Sequence, residues 1–127
     1  MANAEEDCMS LDFYDARGRA FAYSEDGETI YTFSGSPIAY IDGESVYSFS
    51  GKHVGFFERG HLWDGAGKVV LFTEQAKGGP IKPRTYLKPL KRIKRLKPSK
   101  RNQELKPRKQ LQGSSWSQHS PERFFDA

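Results

Sequence analysis

The chain has 127 residues, 36% apolar and 13% aromatic, with a single cysteine and a formal net charge of +4. That length suits one small domain with an appendage, and one cysteine excludes an internal disulfide. The charge is divided: residues 1–76 hold 13 Asp and Glu against 5 Lys and Arg, and residues 77–127 hold 3 against 15, so an acidic body precedes a basic tail.

The opening residues, MANAEEDCMS, are acidic and lack the apolar stretch of a secretory signal. No apolar run approaches the roughly 20 residues that span a bilayer. The expectation is a cytoplasmic protein without a membrane partner.

From residue 10 the chain repeats itself. Gly18, Gly35, Gly51 and Gly67 align four copies: FYDARGRAFAYSEDGE, IYTFSGSPIAYIDGE, VYSFSGKHVGFFERG and LWDGAGKVVLFTEQ. Five places before the glycine stand Phe13, Ile30, Val46 and Leu62, followed by the aromatics Tyr14, Tyr31, Tyr47 and Trp63. Asp15, Thr32, Ser48 and Asp64 come next, all able to start a turn by bonding nearby backbone. Such a residue with glycine three places later predicts a hairpin on a type I turn closed by a left-handed glycine. The turns fall at 15–18, 32–35, 48–51 and 64–67, and shorter turns at 26–28, 42–44 and 58–60 link the hairpins. Counting outward pairs Ile30 with Ile38 and Val46 with Val54, and sets the aromatic row on the opposite face, over the small residues Ala39 and Gly55.

An isolated hairpin is marginal in water, and an open row of hairpins leaves unpaired edges. A closed ring removes those edges. The expected fold over residues 10–76 is all-β: four β-hairpin repeats in a pseudo-four-fold ring. An open meander and a small β-sandwich are the alternatives.

The repeated YxFSG and VYSFSG runs, the GKVVLFTE strand, the GGPIKP junction and the closing SSWS and FF resemble the four-fold beta flower proteins, small and mostly bacterial. The resemblance runs from about Leu11 to Phe125. It implies the same ring of hairpins, and brings no activity, cofactor or catalytic residue with it.

Residues 77–127 form the basic tail. Its stretch 78–113 divides into four nonapeptides, GGPIKPRTY, LKPLKRIKR, LKPSKRNQE and LKPRKQLQG, with Pro80, Pro89, Pro98 and Pro107 in third place. Proline at that spacing opposes helix and favours extended chain. One reading is a disordered basic tail. The other is a belt, one nonapeptide per hairpin, with Leu87, Leu96 and Leu105 buried against the ring. Four extended nonapeptides span about 110 Å, which matches the perimeter one chain-width outside a body of this size. Trp116, Phe124 and Phe125 are expected to anchor on the body or on a partner subunit.

No residue set signals chemistry. His53, His61, His119 and Cys8 lack metal-ligand spacing, Asp15 and Asp64 read as turn starters rather than an acid–base pair, and GAGK at 65–68 is too short for a phosphate loop. No catalytic residue, cofactor or metal is expected. The expected function is a non-enzymatic protein-interaction or structural module, with an unidentified protein partner. The alternative is non-specific nucleic-acid binding through the tail. The candidate interaction surface comprises Tyr14, Tyr31, Tyr47 and Trp63 together with Lys88, Lys97 and Lys106.

Overall fold

Four times the chain reverses on the same turn. The amide of the repeat glycine donates to the carbonyl three residues back: Gly18 to Asp15, Gly35 to Thr32, Gly51 to Ser48 and Gly67 to Asp64, at 2.9–3.1 Å. These glycines have φ of +85°, +98°, +95° and +81°, the left-handed region that side chains resist. The structure, a computed structural model, describes residues 10–125; Cys8 lies outside them.

The hairpins are β1 (Leu11–Tyr14) with β2 (Ala20–Ser24), β3 (Thr29–Thr32) with β4 (Pro37–Asp42), β5 (Ser45–Tyr47) with β6 (His53–Glu58), and β7 (His61–Trp63) with β8 (Val69–Phe72). Each strand pairs antiparallel with its neighbours in sequence, and β8 returns to β1 through Tyr14 and Phe72. The result is a closed eight-stranded barrel, so the meander and the sandwich are excluded.

The register departs from the simple count. Ile30 pairs with Ala39, not Ile38, and Val46 pairs with Gly55, not Val54. A bulge recurs in every hairpin, leaving Phe21, Ile38, Val54 and Val70 without a cross-strand partner. A bulge bends the strand and raises its twist, and a ring this small needs that bend four times. The bulged residues still pack against the core.

The small residues therefore face the axis rather than lying under the aromatics. Ala22 and Ala39 join Phe13, Ile30, Val46, Leu62 and Leu71 in the central cluster, all fully buried. Crowding explains the choice. A Cβ on Gly55 would overlap the Trp63 carbonyl and meet the Phe124 ring at 2.6 Å.

After β8 a turn at 74–75 and bends at 78–80 lead into a stretch, 81–113, with neither helix nor strand, and the chain ends its described course in a short helix, α1 (Pro121–Phe125). Phe124 is buried in the central cluster, and Phe125 stacks on Phe21 with ring centroids 5.8 Å apart. Trp116 forms a parallel bridge with Val69 and packs edge-on to Phe72. The three tail aromatics thus anchor on the body.

Candidate interaction surface

Neighbouring hairpins leave four grooves on the outside of the barrel, and the aromatic row fills them. Tyr31 lies against Tyr23, Tyr47 against Tyr40, Trp63 clusters with Phe56, and Tyr14 lies against Phe72. All four row members are buried. Tyr14, Tyr31, Tyr47 and Trp63 are thus packing residues between repeats rather than an open stacking platform.

The tail passes these grooves at regular intervals. Its amides donate to the repeat glycines: Tyr86 to Gly18, Arg95 to Gly35, Glu104 to Gly51 and Gly113 to Gly67, at 2.8–3.1 Å. The donors are nine residues apart. At each site a tail carbonyl, of Arg84, Ile93, Asn102 or Leu111, occupies the space a glycine Cβ would take. One glycine thus permits both the turn and the close approach of a second backbone.

Within each nonapeptide lies a finer period of three, the period of a polyproline II chain. Between 81 and 111 every lysine falls at 82 plus a multiple of three, and every leucine and isoleucine at 81 plus a multiple of three. All four prolines of this stretch, and Arg92, Arg95 and Arg101, fall in the third class. The amides bonding the body through Tyr86, Arg92, Arg95, Arg101 and Glu104 belong to that third class.

This phase turns the lysine class onto the body. Lys88 pairs with Asp12 at 2.8 Å, Lys91 and Lys94 with Glu25, Lys100 with Glu28 at 2.6 Å, and Lys109 with Glu44 and Glu58 at 2.8 and 2.9 Å. Lys91 also lies over the Tyr23 ring and Lys100 over the Tyr40 ring, each 4.4 Å from the centroid. Gln103 continues the class with bonds to the Tyr40 hydroxyl and Asp42. The hydrogen bond from Lys94 holds the Glu25 carboxyl below its usual pKa, and the bond from Lys109 does the same for Glu58. Each exposed pair is worth under about 1 kcal/mol, and each cation over a ring about 0.5–1 kcal/mol. Lys97 and Lys106 belong to the same class but make no ion pair among the described residues.

The expected burial of Leu87, Leu96 and Leu105 is overturned: they are 98%, 95% and 94% exposed. The reason is rotation. In a chain with three residues per turn, only one class can face the body closely. Long lysine stems reach its carboxylates and rings while keeping their charge solvated. Leucine would leave those carboxylates unpaired. The signal that separates the classes, a period of three inside the period of nine, is present in the sequence and was masked by the more obvious Leu-Lys-Pro repeat.

Where the tail begins, Gly79 packs on His61, its Cβ position 2.9 Å from Nε2. The imidazole is fully buried, and neither ring nitrogen has a hydrogen-bond partner. Burial, reinforced by the nearby Lys82 charge, lowers its pKa from 6.5 to about 4. The unfolded chain therefore takes up a proton near pH 6.5 that the folded chain resists until about pH 4. Stability should fall across that window and stop falling, on this account, below it. The full loss is on the order of 3 kcal/mol. His61→Phe should flatten most of the slope in urea midpoints measured between pH 7 and pH 4.5. Burial lowers the His53 pKa too, leaving a residual slope. An unchanged slope in His61→Phe would show that the acid sensitivity lies elsewhere.

Among the described residues no group of three or more His, Cys, Asp or Glu side chains could hold a metal, and no helix is long and apolar enough to cross a membrane. Comparison with curated proteins and with solved structures gives no match. Comparison with protein families gives one that spans the barrel, the tail and the closing helix: residues 11–125 match the 4-fold beta flower protein family. The four-fold repeat of turn, bulge and groove is the architecture that description names, and the chain belongs to the 4-fold beta flower protein family.

Proposed function

We propose that the protein is a non-enzymatic interaction module of the cytoplasm, and that its contact surface is the aliphatic class of the tail. One observation carries this reading. Ile81, Leu87, Leu90, Ile93, Leu96, Leu105 and Leu111 are 90–98% exposed, and all occupy one phase of the three-residue period. Large aliphatic side chains held in water in register are the mark of a surface with a partner. The absence of chemistry has support of its own. Asp15 and Asp64 accept backbone amides of their own turns, so the carboxylates nearest to an acid–base pair are committed to structure. The test is photo-crosslinking in cells, with a photoreactive residue in place of Leu90 or of Ala16, an exposed turn residue of the barrel. Adducts should form from position 90 and not from position 16. The same pattern from both positions would refute the reading.

Nucleic-acid binding is the second reading, favoured by arginines without a carboxylate partner among the described residues: Arg84, Arg92, Arg101 and Arg108. Five of the tail's nine lysines are engaged by carboxylates of the body, which reduces the charge open to phosphates. Affinity for random duplex DNA should be weak at low salt and fall steeply with ionic strength. Tight binding near physiological salt would promote this reading above the first.

A further inference from the structure

We infer that the sector from Leu87 to Lys97 docks on an anionic phospholipid surface. The inference rests on the reading that the aliphatic class is a contact surface, and it names the partner. In this sector the class is densest: Leu87, Leu90, Ile93 and Leu96 follow one another at every third residue, each at least 90% exposed. At about 3.1 Å per residue they stand roughly 9 Å apart and span about 28 Å. The sector runs from just after the tail's bond to Gly18, made by Tyr86, to just past its bond to Gly35, made by Arg95. It therefore covers about one quarter of the ring, with Leu90 and Ile93 at its middle.

The charges beside the stripe choose the partner. No Asp or Glu occurs between Leu87 and Lys97. Lys88, Lys91 and Lys94 are paired with Asp12 and Glu25 of the body. Arg92, Arg95 and Lys97 have no carboxylate partner among the described residues; the Arg95 guanidinium donates to the Ser36 hydroxyl. An open cleft of about 790 Å³ lies between the turn at Ser34 and the tail, lined by Leu90, Arg92, Ile93 and Arg95. The partner must therefore offer anionic groups and apolar volume side by side.

A phospholipid surface offers phosphate at the level of the arginines and acyl chain at the level of the leucines, the pairing that holds amphipathic segments at membrane interfaces. Nucleic acid supplies phosphate but would leave the four aliphatic side chains in water. A second copy meeting this sector face to face would set its arginines against the same arginines. The lack of a spanning segment, which set the sequence expectation against a membrane partner, does not bear on docking at the surface.

The test is co-sedimentation of the full-length protein with phosphatidylglycerol–phosphatidylcholine vesicles, with pure phosphatidylcholine vesicles and random duplex DNA in parallel. Binding is expected to the anionic vesicles and not to the neutral ones. Leu90→Ser/Ile93→Ser should weaken it by about tenfold or more, and Arg92→Gln/Arg95→Gln by roughly tenfold. The serine variant should melt with the parent, because the replaced side chains touch solvent. No binding to anionic vesicles would overturn the inference, as would binding that the serine pair leaves unchanged. DNA binding stronger than vesicle binding and indifferent to the serine pair would overturn it in favour of nucleic acid. Loss of vesicle binding with crosslinks from position 90 intact would remove the lipid partner and leave the contact surface standing; loss of both would remove the two together.

Discussion

Gly51→Ala should cost about 3 kcal/mol or more, while Gly43→Ala should cost only about 1 kcal/mol. Both glycines are left-handed, at φ +95° and +67°, so both substitutions pay for backbone strain. Only Gly51 carries a second requirement. Its Cβ would overlap the carbonyl of Asn102, whereas nothing lies within 4 Å of a Cβ on Gly43. To admit the methyl group the tail must lift. That breaks the bond from the Glu104 amide to Gly51 and the bond from the His53 amide to Glu104 Oε1. Thermal midpoints should separate the two variants by about 10 °C. Trypsin should also reach Arg101 and Arg108 sooner in Gly51→Ala than in Gly43→Ala. Equal midpoints and equal cleavage would mean that the tail does not depend on the glycine.

Phe124→Ala should lower stability by about 3–4 kcal/mol, although the residue lies only three places from the end of the chain. Its ring is buried in the central cluster, and among the described residues no other residue of the tail is a buried member of that cluster. Removing it opens a cavity beside Gly55. Phe125, half-buried and stacked on Phe21, should cost less, about 1–2 kcal/mol, on truncation to alanine. Gly55→Ala gives a second view of the same contact. Its methyl group would press on the Phe124 ring as well as on the Trp63 carbonyl. With Phe124 already removed, Gly55→Ala should cost less than it does in the parent, a coupling a double-mutant cycle in urea can measure. Strictly additive losses would place Phe124 away from Gly55.

A terminal helix of five residues contributes this much because the barrel cannot fill its own centre. Eight short strands bring their inward side chains close together, and three repeats use alanine or glycine beside the larger residue: Ala22, Ala39 and Gly55. That relieves crowding midway along the axis. Phe124 then packs in the cluster beside Gly55, and Phe125 stacks on the bulged Phe21.

What the sequence by itself determined is what short-range chemistry controls. A turn needs a side chain that bonds its own backbone and a glycine three residues on, and both can be read within four residues at Asp15–Gly18, Thr32–Gly35, Ser48–Gly51 and Asp64–Gly67. The period of those turns gave four hairpins, and the cost of open strand edges gave the closed ring. Tertiary structure decided the rest. The bulge at Phe21, Ile38, Val54 and Val70 answers to the curvature of the closed barrel, which no single hairpin contains. The buried place of Tyr31 and Tyr47 depends on the neighbouring repeat, whose Tyr23 and Tyr40 complete each groove. The rotation of the tail was settled at longest range. Its amides bond glycines 46 to 68 residues earlier in the chain, and its lysines meet carboxylates that only folding brings within reach. Residue type alone favours burying Leu87, Leu96 and Leu105. A chain with three residues per turn presents one class to the body, and the body's carboxylates and aromatic rings select lysine for it.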